Sequence, residues 1–492
     1  MSCIRVRIAP SPTGFFHIGN AKTALYNWLF ARQKGGSFIL RLEDTDVERS
    51  KPEYADVIGE ALRWLGIDWD EGPGFGGTPD KGGYGPYRQS ERRDLYLAEA
   101  QRLLDTDRAY KCFWSKEEMD AEREQARAEK RMPQRSPWRD ADAERVAAMG
   151  NAPHVIRFRV PEGVTVIKDL LQGNVRVDNR EIDDFVIVRS DGHPVFHLAV
   201  VVDDGLMKIT HVIRGDDHLT NAAKHVLLFE ALGYPLPVFV HHPLVHDAAG
   251  KKYSKRLHGA KVLDWRRDGY LPEAVVNYLA LLGWAPKDDR EVFTPQQLIK
   301  EFSIDGMSLS PGRFDLKKIQ WLNGQHIRLL PVEDLRDRLL PILRKANFDV
   351  DGKPEAWLTQ MTAICQEKLK TLNDIIEQTD FFFRELAAYE EKAVDKHWNK
   401  EGAIEYMRRL LDLISGVEPW TTEGLHDAYQ ALAEEQGIGL GKLIHPTRLA
   451  LTGKSVGPGL FELAELLGKE KCLARMERAV AFIQERGEVE HG

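Results

Sequence analysis

The sequence predicts an α/β fold in which a mostly parallel sheet is interrupted by an inserted α+β domain and followed by an all-helical C-terminal region. Three observations support this. A strand, a tight loop and a helix follow one another at the N-terminus, the chain becomes highly charged between residue 87 and about residue 190, and helical patterns continue from residue 269 almost to the end. At 492 residues the chain exceeds one ordinary core, so several domains are expected.

The N-terminal stretch has the pattern of a strand, a loop and a helix. Residues 4–8 alternate between apolar and basic side chains, and Pro10, Pro12 and Gly14 then break the strand. Apolar residues recur at helical spacing from residue 20 to residue 30. Such a turn aims backbone N–H groups and the positive end of a helix at an anion, typically a phosphate.

His17 and Gly19 lie where this loop enters the helix. An imidazole can donate to a phosphate oxygen there, and a glycine lets a ring or a ribose approach the backbone. An ordinary loop histidine and a turn glycine explain the pair as well. A second motif, Lys252-Tyr-Ser-Lys-Arg256, favours the phosphate interpretation, because its basic side chains and Ser254 form an anion clamp. A solvated basic turn and a nuclear-localisation-like patch are the alternatives for that motif.

Further strands are predicted at the residues that follow. Residues 37–43 end in Glu43, and carboxylates at a strand end lie where α/β sheets bind ligands. Glu43 can meet a ligand amine, whereas Asp46 can simply cap the helix predicted over residues 53–65. The apolar run 194–202 predicts a strand buried on both faces, and residues 238–244 predict another.

The inserted region and the C-terminal region have their own signals. Ser115 and Glu118 form a capping box that opens a charged helix through Lys130. Short strands are predicted over residues 155–160, 175–177 and 185–188. Helices are predicted over residues 271–283, 332–345, 357–374, 403–414 and 459–485.

Composition narrows the class of protein only modestly. The formal charge of −8 is a whole-chain sum and does not exclude an RNA partner on one face. No apolar run reaches membrane-spanning length, and the N-terminus lacks a signal-peptide pattern. The four cysteines have no paired spacing, so free thiols in a reducing cytoplasm are expected and a four-cysteine zinc cluster is not.

Gly14-x-x-His17-x-Gly19 and Lys252-Tyr-Ser-Lys-Arg256, separated by the interrupted sheet, resemble the two signature motifs of class I aminoacyl-tRNA synthetases. Finer details are similar to bacterial-type glutamyl-tRNA synthetases along essentially the whole chain. The matching stretches are RIAPSPTG at 7–14, RLEDTD at 41–46, GPYRQSER at 85–92, HVIRGDD at 211–217, HPTRLALTG at 445–453 and GPGLFE at 457–462.

The resemblance implies a Rossmann-type class I synthetase catalytic domain and a reaction in two steps. The α-carboxylate of L-glutamate attacks the α-phosphate of Mg-ATP, pyrophosphate leaves, and the terminal ribose of tRNA(Glu), by family its 2′-hydroxyl, then attacks the glutamyl-adenylate. No protein nucleophile is required, so positioning and charge stabilisation supply the catalysis. The resemblance also implies that activation needs bound tRNA and that the helical region recognises the anticodon.

The resemblance further assigns roles to individual residues. Arg7 and Arg214 would bind the side-chain carboxylate of glutamate, and Ser11 and Glu43 would bind its α-amino end. The implied glutamate-binding set is Arg7, Ala9, Ser11, Glu43, Phe196 and Arg214. The implied ATP-binding set is His17, Gly19, Asp217, Lys252, Ser254 and Lys255, of which His17, Lys252 and Lys255 would act in catalysis. Lys368 and Arg448 would contact the anticodon.

Four positions depart from the family pattern. Asn20 replaces a histidine at the end of the first motif, and Phe196 stands where tyrosine is usual, which removes or replaces one hydroxyl hydrogen bond. Cys112 stands alone where zinc-containing members carry several ligands, so no zinc is expected. Lys368 falls where some members carry an arginine that rejects the tRNA(Gln) anticodon, which leaves discrimination between tRNA(Glu) and tRNA(Gln) open.

The resemblance implies a division of the chain into six segments. The two halves of the catalytic domain are residues 1–86 and 193–250, around an acceptor-binding insert at 87–192. A signature-loop and stem-contact domain at 251–328 precedes two helical anticodon-binding subdomains at 329–390 and 391–492. We expect a monomer located in the cytoplasm.

The alternatives to an active, discriminating glutamyl enzyme come from within and outside the class. They are a non-discriminating enzyme that also charges tRNA(Gln), a glutaminyl enzyme, the truncated relative that modifies tRNA(Asp), a small-molecule adenylyltransferase and an inactive RNA-binding paralogue. The helical C-terminal region disfavours the glutaminyl enzyme, the truncated relative and the small-molecule adenylyltransferase. The presence of both His17 and Lys255 disfavours an inactive paralogue.

Overall fold

The computed structural model describes residues 3–45, 49–131, 133–251 and 261–490. The chain forms two compact units. The first comprises Met1–Arg266 and Pro272–Leu316, and the second comprises Arg267–Leu271 and Lys317–Gly492. Within the described ranges, no helix is long and apolar enough to cross a membrane. The finer division into six segments stays a prediction.

The first unit opens with the predicted strand, loop and helix. Its first elements are β1 (Arg5–Ile8), α1 (Ile18–Lys34), β2 (Ser37–Leu40) and α2 (Pro52–Trp64). β1 and β2 pair in parallel. α1 ends at Gly35, whose φ of 62° places it in the left-handed region that favours glycine, and its N–H bonds to the main-chain carbonyls of Ala31 and Arg32.

The inserted region contains two groups of strands. Its elements are α3 (Arg93–Asp105), β3 (Ala109–Cys112), α4 (Lys116–Ala128), α5 (Ala143–Ala148), β4 (Val155–Phe158), β5 (Val164–Asp169), β6 (Gly173–Asp178) and β7 (Val186–Val188). The predicted capping box is present, with Ser115 accepting from the N–H of Glu118. β3, β4 and β7 form an antiparallel sheet of their own. The β5–β6 hairpin instead joins the sheet of the following segment.

That segment supplies the other two strands of a four-stranded sheet. Its elements are α6 (Phe196–Leu206), β8 (His211–Gly215), α7 (Leu219–Leu232), β9 (Val238–His242) and β10 (Val245–His246). The sheet has the order β6-β5-β9-β8, in which β8 and β9 pair in parallel and β5 pairs with β9 only at Asp169 and Phe239. The N–H of Thr210 donates to the carbonyl of Arg5 at 2.9 Å, which places the start of β8 beside β1.

The strand predicted over residues 194–202 is wrong, because the run from residue 196 onward lies in α6. Its side chains are buried almost all round, with Leu198, Val201 and Val202 each fully inaccessible. An apolar run of this length carries no periodicity that separates a buried helix from a buried strand. The helix packs in the core of the first unit, where each such side chain contributes about 1.5–3 kcal/mol of hydrophobic stabilisation.

The rest of the first unit and the whole second unit are mainly helical. The remaining elements of the first unit are α8 (Val262–Arg267), α9 (Pro272–Leu281), α10 (Pro295–Glu301) and β11 (Gly312–Arg313), which pairs with β10. The helices from there to the C-terminus are α11 (Leu316–Leu329), α12 (Val332–Lys345), α13 (Glu355–Gln366), α14 (Asp374–Phe383), α15 (Glu391–His397), α16 (Ala403–Ser415), α17 (Thr422–Glu435), α18 (Gly441–Thr452), α19 (Leu460–Leu467) and α20 (Lys469–Glu490).

Two of the predicted C-terminal helices are each interrupted. The helix expected over 357–374 ends at Gln366, and α14 begins after a turn in which Asp374 accepts from the N–H groups of Lys370 and Thr371. The helix expected over 459–485 breaks at Gly468, whose φ of 87° and ψ of 152° are not helical. The apolar spacing continues across both breaks, so periodicity alone does not mark them.

Candidate active site

A cavity of about 300 Å³ lies at the carboxyl ends of the parallel strands of the first unit. Ala9 follows β1, Glu43 follows β2, Asp217 follows β8 and Leu244 follows β9, and all four line it. Parallel strands end at the same edge of a sheet, and that edge is where open α/β sheets bind ligands. The volume is that of a small-molecule site.

Eight of the residues expected to bind glutamate or ATP line this one cavity. They are Arg7, Ala9, His17, Gly19, Glu43, Phe196, Arg214 and Asp217. Ser11 does not line it and is exposed, with its carbonyl accepting from the N–H of Thr13. Lys252, Ser254 and Lys255 lie outside the described residues. The role of each residue stays a prediction.

His17 caps α1 with its own ring. Its Nδ1 accepts from the N–H groups of Gly19 at 3.2 Å and Asn20 at 3.4 Å. In the neutral ring the proton is therefore on Nε2. The sequence predicted that these backbone N–H groups face an anion directly. In this conformation they bond to the imidazole, so the helix end acts on a ligand through His17.

Arg7 is held in place by a buried ionic cluster. Its Nε and Nη2 each donate to Asp204 at 3.2 Å. Asp204 also accepts from Arg41 at 2.6 Å, and Arg41 donates to Glu43 at 3.2 Å. All four side chains are at most 9% exposed. Burial would raise the pKa of Asp204, but the two arginines outweigh it and lower that pKa.

The same ionic cluster includes Asp203, which precedes Asp204 in α6. Asp203 accepts from Arg92 at 2.6 Å, Gln89 at 2.9 Å and the hydroxyl of Tyr96 at 2.9 Å. Arg41 lies 3.5 Å from it. Neighbouring carboxylates of one helix thus tie together β1, β2 and the start of the insert. Their buried charges are stable only as a paired set.

Arg214 differs from the other buried arginines. Its hydrogen bonds go to neutral groups, namely His241 Nε2 at 3.0 Å, His225 Nδ1 at 3.3 Å and the carbonyl of His218 at 3.3 Å. Among the described residues it forms no ion pair with a carboxylate. Burial, and then the charge of Arg7, lower the pKa of Arg214 to about 9. A guanidinium that lines a cavity in this condition favours an anionic ligand.

Glu43 supplies the opposite charge at the same cavity. Burial raises the pKa of its carboxyl group, and Arg41 and Arg7 offset part of that rise. The cavity therefore combines cationic groups at Arg7 and Arg214 with a carboxyl group at Glu43. A ligand that carries both a carboxylate and an ammonium group matches this arrangement.

Several residues of the site carried a weak signal in the sequence. Asp203 and Asp204 follow an apolar run, but the strand prediction did not show that both lie about two helical turns beyond Phe196 in α6. Val200, one turn after Phe196, also lines the cavity. His241 was not identified, because its contacts with Arg214 and with residues of the insert depend on the pairing of distant strands.

The remaining predicted residues lie elsewhere. Lys368 is exposed just after α13, and Arg448 lies within α18, where it is half-buried and donates to the carbonyl of Pro458. Cys112 is buried with its Sγ 3.2 Å from Ser136 Oγ. In the part of the chain that the structure describes, no three histidine, cysteine or acidic side chains form a group able to hold a metal. The expectation of no zinc stays a prediction.

Two family models match the chain. The one described as "tRNA synthetases class I (E and Q), catalytic domain" matches residues 3–321, and the one described as "Anticodon binding domain" matches residues 333–480. Together they match both compact units.

Full-length relatives share this organisation. "Glutamate--tRNA ligase 1" of Caldanaerobacter subterraneus subsp. tengcongensis is 44% identical over 99% of both chains, and "Glutamate--tRNA ligase" of Desulforudis audaxviator is 44% identical over 98% of this chain and 97% of the relative. A crystal structure of a glutamate tRNA ligase from Elizabethkingia meningosepticum in complex with its amino acid is 35% identical, with a TM-score of 0.87 over 97% of this chain and 99% of that one. The α/β catalytic unit, the helical unit and these full-length similarities show that the chain belongs to the glutamate–tRNA ligase family of class I aminoacyl-tRNA synthetases.

Proposed function

We propose that the cavity of the first unit binds L-glutamate beside ATP and forms glutamyl-adenylate there, before transfer of the glutamyl group to tRNA(Glu). The observation that carries this proposal is that two buried arginines, Arg7 and Arg214, line the same cavity as His17 and Gly19 at the N-terminus of α1. One cavity thus offers cations for an acidic side chain and a helix end for phosphate.

Glutamate is oriented by its charges. Arg7 and Arg214 bind its side-chain carboxylate, for which a planar guanidinium is better matched than a lysine. Glu43 binds the α-ammonium group, Ala9 and Phe196 pack against the carbon chain, and Ser11 contributes at the amino end. Asp204 fixes Arg7, so little side-chain entropy remains to be lost when glutamate binds.

ATP is bound by the neighbouring part of the cavity. The Nε2–H of His17 donates to the phosphates, and a side chain at position 19 would crowd the His17 ring at 3.1 Å, which supports the need for glycine. Asp217 acts near the ATP and the acceptor end of the tRNA, and Lys252, Ser254 and Lys255 of the second motif bind the phosphates. Mg²⁺ would neutralise phosphate charge here, and Asp217, which lines the cavity, would help to hold it.

The chemistry then needs only alignment and charge stabilisation. The α-carboxylate of glutamate attacks the α-phosphorus, the bond to the β-phosphate oxygen breaks, and pyrophosphate leaves with its charge stabilised by His17 and the lysines. The ribose hydroxyl of the tRNA next attacks the acyl carbon and releases AMP. Lys368 and Arg448 contact the anticodon in the helical unit.

Activation of glutamate depends on bound tRNA, tRNA(Glu) is the substrate, and the enzyme acts as a monomer in the cytoplasm. Cys112, Cys365 and Cys472 are free and buried, as suits a reducing compartment.

The test is ATP–pyrophosphate exchange with and without tRNA(Glu), comparing glutamate with glutamine. We expect tRNA-dependent exchange with glutamate, and exchange supported by glutamine would refute the substrate assignment.

Arg7→Gln is expected to raise the KM for glutamate about 10- to 100-fold, because a hydrogen-bonded charge is lost. Arg5→Gln is the matched control, since Arg5 lies on the same strand, pairs with Glu71 at 2.7 Å and does not line the cavity. Equal effects of the two variants would contradict the role of Arg7.

A further inference from the structure

A buried chain of hydrogen bonds connects Arg214 to the inserted region. Arg214 Nε lies 3.0 Å from His241 Nε2, and His241 Nδ1 lies 2.6 Å from Asp169 Oδ2. Arg214, His241 and Asp169 are 6%, 0% and 5% exposed. A guanidinium can only donate, so His241 Nε2 accepts and the ring proton resides on Nδ1, from which it is donated to Asp169.

We infer that Asp169 and His241 are positioning residues of the glutamate site. Asp169 holds His241 in the tautomer that accepts from Arg214, and His241 fixes the guanidinium where the side-chain carboxylate of glutamate binds. This inference rests on the proposed role of Arg214 as a ligand of that carboxylate. Neither positioning residue lines the cavity.

The hydrogen bond to His241 is the shortest that Arg214 makes. Nη1 donates to His225 Nδ1 at 3.3 Å and Nη2 donates to the carbonyl of His218 at 3.3 Å, so the bond to His241 is the shortest of the three. His225 in turn lies 3.2 Å from His197 Nδ1, to which its Nε2–H donates. With His241 removed, the buried Nε–H loses its acceptor and the guanidinium plane is held only from its other end.

Asp169 joins this arrangement to the β5–β6 hairpin. Its Oδ1 accepts from the N–H groups of Leu171 at 2.8 Å and Gln172 at 2.7 Å, and its Oδ2 also accepts from the N–H of His241 at 2.9 Å. The Nε2 of Gln172 donates to the carbonyl of His241 at 2.9 Å. The turn of the hairpin is therefore fastened to the residue that holds Arg214, and a displacement of the hairpin is transmitted to the amino-acid site.

Asp169→Asn separates this role from a merely structural one. A carboxamide has one acceptor oxygen, so it satisfies either the turn or His241 but not both. We expect the KM for glutamate in the exchange reaction to rise about tenfold while the KM for ATP stays unchanged. Thr165→Val is the matched control. Thr165 is a buried residue of the same strand whose hydroxyl bonds to Asn179 at 2.6 Å, and its loss weakens the hairpin without touching His241.

His241 provides a second pair of variants that leaves the turn side chain intact. The amide oxygen that His241→Gln introduces can accept from Arg214 Nε, whereas His241→Asn retains a donor toward Asp169 and loses that acceptor. We expect His241→Gln to keep the KM for glutamate within about threefold of the wild type and His241→Asn to raise it about tenfold or more. Equal effects of these two variants would overturn the inference, and their comparison decides it even if Asp169→Asn fails to fold.

A double-mutant cycle with Arg214→Lys distinguishes this inference from the proposed function. If Asp169 acts through Arg214, then Asp169→Asn has little further effect on the KM for glutamate in the Arg214→Lys background. Additive effects would overturn the coupling. If Arg214→Lys raises that KM and Asp169→Asn does not, the positioning role fails while the assignment of Arg214 stands. If neither the Arg7 nor the Arg214 variant changes it, the proposed glutamate site itself is wrong.

Discussion

Asp204→Asn removes the carboxylate that Arg7 and Arg41 share. The replacement leaves two buried guanidinium groups with one negative charge fewer and presents an amide donor to them. Breaking a buried ion pair by removing one partner costs about 3–5 kcal/mol. That loss is a large part of the roughly 5–15 kcal/mol by which proteins are usually stable. At an m-value of about 3 kcal/mol/M, the urea midpoint of the first unit is expected to fall by about 1–2 M.

The matched control is Asp178→Asn. Asp178 forms an even shorter ion pair, 2.5 Å from Arg180, but the Arg180 side chain is 83% exposed. Water screens such a pair, so its loss is expected to leave the urea midpoint unchanged. The assay is urea unfolding followed by circular dichroism without ligands. A loss in Asp204→Asn no larger than that in Asp178→Asn would refute the reasoning that burial makes the Asp204 cluster important for stability.

The pH dependence gives an independent check of the same variant. The folded state lowers the pKa of Asp204. A carboxyl group of this kind stabilises the fold above its unfolded pKa of about 3.9, and this stabilisation is lost as the pH falls through the lowered folded-state value. The difference in midpoint between the wild type and Asp204→Asn is therefore expected to be constant at neutral pH and to shrink in strong acid. A difference that grows on acidification would contradict the assignment.

Buried side chains elsewhere in the protein give three more measurable outcomes. Burial lowers the pKa of His242 from 6.5 to about 3, so the unfolded state binds an extra proton below pH 6.5. The free energy of unfolding should therefore fall by on the order of 3 kcal/mol between pH 6.5 and pH 4. In urea titrations, His242→Asn should lose this part of the pH dependence. Burial lowers the pKa of Lys22 to about 8, so wild-type stability should rise with pH between about 8 and 10.5, a rise that Lys22→Met should lack. Thr447→Val in α18 should destabilise the protein more than Tyr429→Phe in α17, about 1–3 against about 1 kcal/mol by thermal unfolding, because it leaves the Tyr429 hydroxyl buried without its acceptor 2.9 Å away.

Local patterns predicted the elements whose signals lie within a few residues. The strand and helix around His17, the capping box at Ser115 and the helix over 332–345 all depend on neighbours in sequence, and all are present. The resemblance of the sequence motifs to the family predicted which residues line the cavity. The resemblance placed Arg7 and Glu43 in one site, and the structure brings them to one cavity because Arg7 lies in β1, Glu43 follows β2 and the two strands pair in parallel.

The features that sequence did not predict depend on contacts between distant segments. α6 is buried on nearly every side, so it lacks the apolar and polar faces by which a helix is identified from sequence. Asp169 and His241 are 72 residues apart, and only the pairing of β5 with β9 brings them together. The break between α13 and α14 is set by a local turn at Asp374 that apolar spacing does not record.

The chain passes between its two compact units more than once, since residues 267–271 belong to the second unit although residues on both sides of them belong to the first. Within the second unit, the N–H of Leu271 donates to Asn323 and the carbonyl of Gly269 accepts from the N–H of Leu372. Truncation after residue 316 would therefore strip this short segment of its partners rather than release a finished fragment. Proteolytic cleavage at the same place would leave the two pieces still linked through it.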